Sequence, residues 1–189
     1  MAHDSFFISD THFGHENAWK VFKGPDGVSP LRPFSSTEEM DETMVANWNR
    51  VVRPQDYVYH LGDVAIKKQY LSIVGRLNGH KRLIMGNHDI FDLKEYMKHF
   101  EKVKAYQILD RFIFSHVPIH PGSLSRWSGN VHGHTHANVV NIDDAVPDPR
   151  YLCVSVEHTD YTPVNLEWVI KKFKERGLYG KPRPADAVV

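Results

Sequence analysis

Cysteine is nearly missing from this chain of 189 residues: it occurs once, at Cys153. That excludes an internal disulfide and argues against a thiolate zinc site, which needs several sulfur ligands. An excess of either charge is also missing, because Lys+Arg and Asp+Glu are both 23. Proteins grip a long duplex mainly by neutralising phosphates, so a formally neutral chain offers no general field for that, and only a local patch for one small phosphate fits. No apolar run reaches the 18 or so residues that a membrane-spanning helix needs. The opening "MAHDSFFISD" has neither the basic segment nor the apolar stretch of a signal peptide. The expectation is a cytoplasmic protein with no membrane attachment.

What the chain has in excess is histidine, with 13 residues. Its 41% hydrophobic content suits one buried core. A single domain over residues 1–176 is expected, followed by a flexible tail at 177–189, "GLYGKPRPADAVV". Short β-branched or aromatic runs stop abruptly at polar residues: "SFFIS" before "DTH", "YVYHL" before "GD", "KRLIM" before "GNHD", "RFIFS" before "HVPIH". Such runs read as buried strands.

Helical patterns lie between them. After "SSTEE", Met40, Met44, Val45 and Trp48 recur at helical spacing as far as Val51. Leu71, Val74 and Leu77 mark a second helix ending near Gly79, and Leu93, Tyr96, Met97 and Phe100 mark a third. A fourth follows Asn165, with Leu166, Val169, Ile170 and Phe173 facing inward. Strands alternating with helices predict an α/β first half. The second half, with strands near 103–115, 129–133, 138–142 and 150–157, reads more like a meander. Residues 13–35 and 117–128 fit neither pattern and are read as long, functional loops.

The apolar runs end in a distinctive set of side chains. In open α/β sheets ligands bind beyond the carboxyl ends of the strands. Here those ends carry Asp10 and His12, Asp63, Asn87 and His88, His116, and then His134 and His136. Nearly every core strand therefore stops at a residue able to bind a metal.

In this order and rough spacing, "DTH" at 10–12, "GD" at 62–63, "GNHD" at 86–89, His116, and "GHTH" at 133–136 resemble the calcineurin-like metallophosphoesterases. The resemblance implies a two-sheet β-sandwich flanked by helices, an αββα arrangement. It also implies two metal ions, one held by Asp10, His12 and His136, the other by Asn87, His116 and His134, with Asp63 bridging. Mixed nitrogen and oxygen ligands suit Mn²⁺, Fe, Ni²⁺ or Zn²⁺ better than Mg²⁺ or Ca²⁺, and Mn²⁺ is favoured. Two such ions would supply Lewis acidity to phosphoryl oxygens and lower the pKa of a bound water towards about 7, making it the metal-activated hydroxide nucleophile, so that no nucleophilic side chain would be needed. His88 would protonate the leaving oxygen, with Asp89 either orienting its ring or capping the following helix.

The function so implied is hydrolysis of a small phosphodiester, phosphomonoester or pyrophosphate, with a nucleotide among the candidate substrates. The "GDVAIKK" that follows strand two lacks the Asp and Arg of the protein Ser/Thr phosphatases, so the small bacterial or phage phosphodiesterases are the better match. Two rival readings keep the same centre: a nuclease acting on short or single-stranded nucleic acid, and a non-catalytic scaffold. Against the scaffold, no ligand position is substituted. His15, His120, Arg126 and Trp127 are candidate substrate contacts, each with a plain loop residue as the alternative. His60 reads as structural and Cys153 as a small core residue. His132 shares the "NVHGHTH" stretch, but the partner segments account only for His134 and His136, so it is read as core or as a support behind the ligands. His3, His80, His99 and His158 read as surface residues.

Overall fold

The computed structural model describes residues 3–143 and 145–179. In chain order its strands are β1 (Ser5–Ile8), β2 (Tyr57–His60), β3 (His80–Ile84), β4 (Lys102–Lys104), β5 (Gln107–Leu109), β6 (Phe112–Phe114), β7 (Gly129–His132), β8 (Asn141–Asp143), β9 (Val146–Pro147), β10 (Tyr151–Cys153) and β11 (Val164–Asn165). The α-helices are α1 (Glu16–Lys20), α2 (Thr37–Val51), α3 (Leu93–Tyr96) and α4 (Leu166–Glu175). One sheet has the order β11-β1-β2-β3-β4, the other β10-β7-β6-β5, and β8 and β9 pair separately. This is a mixed α/β fold whose sheets are flanked by helices.

Strand alternation sets the layers. Phe6 and Ile8 of β1 join a cluster with Met44, Trp48, Leu71, Tyr96 and Phe100, on the helical side. Phe7, between them, joins Phe112, Phe114, Val131, Leu152 and Phe173 in a second cluster, between the sheets and α4. Both faces of β1 are therefore covered, which is why Phe6, Phe7 and Ile8 run on without a polar residue between them.

The caps of the two longest helices are those the sequence shows, whereas Asp92 makes no side-chain cap at the start of α3. Ser36 Oγ accepts the Glu39 amide at 3.0 Å at the start of α2, and Asn165 Oδ1 accepts the Trp168 amide at 2.9 Å at the start of α4.

Three expectations change. The second half is not a meander: β5–β6 is antiparallel, but β6–β7 and β7–β10 are parallel and β4 belongs to the first sheet. Parallel neighbours need long crossovers, and residues 115–128 and 133–150 supply them. The helix with Leu71, Val74 and Leu77 is a 3₁₀ helix over Lys68–Arg76. Its apolar residues recur every third position, the 3₁₀ period, and all three are buried. The helix of residues 93–100 has only four α-helical residues, because Leu93 and Met97 face solvent while Tyr96 and Phe100 are buried.

The two long connections are partly ordered. Residues 13–35 contain α1, and 117–128 contain a 3₁₀ turn over Pro121–Leu124. Of the expected tail, Leu178 packs on the second cluster and the Tyr179 hydroxyl donates to Asp110 at 2.8 Å. Residues 180–189 of that tail lie outside the described residues.

Candidate metal centre

The carboxyl ends of β1, β2, β3, β6 and β7 converge on one place. Asp10, His12 and His136 present ligand atoms within 4.8 Å of one another, and so do Asp10, Asp63 and His116. Asn87 Oδ1 lies 2.8 Å from His116 Nε2 and 2.8 Å from His134 Nδ1. Between these groups stands Asp63, whose Oδ2 is 3.4 Å from His12 Nε2 and 3.5 Å from His116 Nε2. Asp10, His12, Asp63 and His116 are buried, whereas Asn87, His88 and His134 are exposed. One side of the centre is thus sealed and the other opens to solvent.

The backbone is forced to make this happen. Asp10, His12, Asp63, His134 and His136 all have positive φ, between 45° and 67°. Each such non-glycine residue costs about 1–3 kcal/mol and persists only where its surroundings hold it. Two glycines allow the loops to touch. A Cβ on Gly133 would lie 1.9 Å from Ser9 Oγ and 2.5 Å from Asp10 Oδ2, and one on Gly86 would lie 2.2 Å from Asp63 Oδ1.

Hydrogen bonds then aim the donor atoms. Asp10 Oδ2 accepts the Ser155 hydroxyl at 2.7 Å and the His134 amide at 2.9 Å, which leaves Oδ1 directed at the centre. His116 Nδ1 donates to the Leu61 carbonyl at 2.8 Å, and His136 Nδ1 pairs with Glu157 Oε1 at 3.1 Å, so each Nε2 keeps its lone pair for a ligand. Asp63 Oδ1 accepts the His88 amide at 2.8 Å.

Asp10 Oδ1 and His12 Nε2 are buried with no hydrogen-bond partner. Buried polar atoms are almost always paired, so orphaned donor atoms turned towards one point are what a metal-ligand set looks like. Burial, followed by the nearby Arg32 charge, lowers the pKa of His12 well below that of a free imidazole. The ring is neutral, as a ligand must be. Burial raises the Asp63 carboxyl, and His116 works against that rise. Two carboxylates and a set of imidazole nitrogens therefore fit divalent cations, which would remove the cost of burying the negative charge.

The other expected residues are placed as follows. His88 is exposed, with its ring 5.5 Å from that of His12. Asp89 does not orient that ring. Its carboxylate is buried and accepts the amides of Gly86 at 2.8 Å, Asp63 at 2.9 Å and Val64 at 3.0 Å, so it braces the two ligand loops instead. The His15 ring lies 5.5 Å from His12 and 5.4 Å from the half-exposed Phe22. His120 is exposed and its Nδ1 caps the 3₁₀ turn by accepting the Gly122 amide at 3.1 Å. Arg126 is exposed and Trp127 half-buried on the same loop.

Buried His60 holds the first ligand loop through Thr11 Oγ1, at 2.9 Å from Nε2, and accepts the Gly62 amide at 3.2 Å; burial pushes its pKa down to about 3. His132 lies on the face of β7 turned away from Val131 and the inter-sheet core, with Tyr151 beside it. Ser155, Glu157 and Arg32 were not singled out from the sequence. Ser155 and Glu157 sit in "VSVEHTD", and no spacing relates them to ligands more than 100 residues upstream or to a histidine on another loop.

These features define a candidate metal centre built on the carboxyl ends of strands from both sheets. The profile described as calcineurin-like phosphoesterase matches residues 6–176, and the chain belongs to that family. It is a hydrolase of phosphoester bonds, with candidate metal-ligand groups in place. An uncharacterized protein of Methanocaldococcus jannaschii is 36% identical over 171 residues, covering 88% of this chain and 89% of the relative. The gene 66 protein of Mycobacterium phage L5 is 34% identical over 91 residues, covering 46% of this chain and 40% of that protein. A crystal structure of a protein of unknown function from Aquifex aeolicus superposes with a TM-score of 0.66 at 28% identity, covering 90% of this chain and 99% of the other. Among the described residues no helix is long and apolar enough to cross a membrane.

Proposed function

We propose that the protein hydrolyses a small phosphodiester, phosphomonoester or pyrophosphate, nucleotides included, at a pair of divalent transition-metal ions. Asp10, His12 and His136 would hold one ion, Asn87, His116 and His134 the other, and Asp63 would be shared. The observation that carries this reading is the place of Asp63 Oδ2, almost equally far from His12 at 3.4 Å and His116 at 3.5 Å. Mixed nitrogen and oxygen donors suit Mn²⁺, Fe, Ni²⁺ or Zn²⁺, and Mn²⁺ is taken as the working ion among them. When bound, the ions supply Lewis acidity and a water that ionises near neutral pH.

The chain's own residues supply the rest. His88 stands on the open side, held by its amide to Asp63, and its ring would give a proton to the leaving oxygen. Asp89 acts through the backbone, fixing the Gly86–His88 turn against the Asp63 loop. His15 lies beside His12 at the rim and is assigned to the phosphate. His120, Arg126 and Trp127, on the loop after His116, are assigned to the remainder of the substrate. An unpaired, buried Cys153 suits a cytoplasmic location.

Metal analysis of protein purified without chelator, paired with Asp63→Asn, tests the centre. About two transition-metal ions per chain are expected in the wild type, and Asp63→Asn should lose both metal and hydrolysis. A fully active Asp63→Asn variant would refute the shared carboxylate. A Mn²⁺-supplemented panel of model mono- and diesters, cyclic nucleotides, dinucleotide polyphosphates and short oligonucleotides then defines the substrate class.

A further inference from the structure

Arg32 is the one buried Lys or Arg among the described residues, and it is fully buried. It comes from the end of the 13–35 connection, and its guanidinium reaches three acceptors on two other segments. Nη2 donates to the Asp10 carbonyl at 2.5 Å, Nη1 to the Thr11 carbonyl at 2.9 Å, and Nε to Glu157 Oε1 at 2.8 Å. Nη1 also lies 3.6 Å from Met40 Sδ. The same Glu157 oxygen receives His136 Nδ1 at 3.1 Å.

Those contacts fall where the backbone is least comfortable. Asp10 and His12 both have positive φ, and the carbonyls of Asp10 and Thr11 belong to the peptide units between them. A guanidinium is planar, with donors in a fixed fork, so it can hold two successive carbonyls and a carboxylate at once. A plain structural ion pair would satisfy both carboxylate oxygens, yet Glu157 Oε2 has no partner. The fork is spent on the ligand loop instead.

We propose that Arg32 is a positioning residue for the ion at Asp10, His12 and His136: it clamps the left-handed Asp10–His12 turn and, through Glu157, sets the His136 ring. This rests on the two-ion reading above. Outer partners of metal ligands commonly change affinity by about 10–100-fold, so loss of Arg32 should weaken one ion by that much and spare the other.

The test is calorimetric titration of chelator-stripped protein with Mn²⁺, with thermal unfolding measured alongside. The proteins are wild type, Arg32→Lys, Arg32→Gln, Glu157→Gln and the double variant Arg32→Gln/Glu157→Gln. Wild type should show two sites. Arg32→Lys, with one nitrogen for three acceptors, and Arg32→Gln should each weaken a single site by about 10–100-fold. The double variant leaves no lone buried charge, so it should recover folding stability but not metal affinity. Wild type that takes up fewer than two ions would overturn the two-ion reading, and this proposal with it. Two wild-type sites that persist unchanged in the folded Arg32 variants, or a double variant that regains wild-type affinity, would overturn this proposal alone. Should the Arg32 single variants fail to fold, the near-isosteric Glu157→Gln decides: a selective loss at one site supports the link from Arg32 through Glu157 to His136, and unchanged titration refutes that link and the proposal that contains it.

Discussion

At the scale of single residues, the centre depends on where a few atoms are allowed to be. Gly133 is the clearest case, since a Cβ there would lie 1.9 Å from Ser9 Oγ and 2.5 Å from Asp10 Oδ2. Gly133→Ala should therefore displace the Asp10 carboxylate, lower stability by about 1–3 kcal/mol and weaken metal binding. Thermal unfolding with metal analysis checks both effects, and a variant that keeps full metal content would refute the close approach. His88 gives the opposite pattern, because its ring is exposed and its amide, not its side chain, touches Asp63. His88→Ala should keep its metal while kcat falls about 10²–10⁴-fold, most for substrates with poor leaving groups. Loss of metal instead would move His88 into the ligand set. The candidate ligand residues themselves were legible from the sequence as polar stops after apolar runs. Asp89 was legible as a site residue but not in its part, because a carboxylate that binds three backbone amides looks the same in sequence as one that orients a ring.

At the scale of elements, the strands and the two long capped helices follow from local chemistry. The turn between α2 and β2 shows how a single carboxylate secures a junction. Asp56 accepts the amides of Arg53 and Asp4 at 2.9 and 3.1 Å, together with the Arg53 guanidinium at 2.9 and 3.0 Å. The Arg53 side chain is the main cause that brings the Asp56 pKa from 3.8 down to about 2, against an opposing effect of burial. A carboxyl depressed in the folded state adds stability above its unfolded pKa and loses it as pH falls through the folded one. Asp56→Asn should thus lower the unfolding temperature at pH 7, and the gap should narrow as pH drops below about 4. A gap that stays constant from pH 7 to pH 3 would contradict this. Helix α1 was missed because it is five residues long, shorter than any periodic pattern can reveal.

At the scale of the whole molecule, candidate ligands from five strand ends and two sheets meet only in the folded chain. Anything that binds this arrangement and not the unfolded chain stabilises the fold by mass action. Chelation should lower the unfolding temperature, and readdition of Mn²⁺ at about 100 times its Kd should return about 2.7 kcal/mol for each site filled. An unfolding temperature indifferent to chelator would show that metal loading and folding are not linked.

By itself the sequence determined most of the strands, the two long capped helices, the apolar faces, the seven candidate donor positions and the family they resemble. These depend on local periodicity, on capping and on residue order, all of which are written along the chain. Tertiary structure alone decided the strand partners of the second sheet, the part played by Asp89, and the clamp of Arg32 on Asp10, Thr11 and Glu157. Side-chain alternation says which face a residue occupies but not which strand lies next to it. Contacts between residues 32 and 157, or 10 and 155, leave no spacing to read, because only packing of the two sheets brings them together.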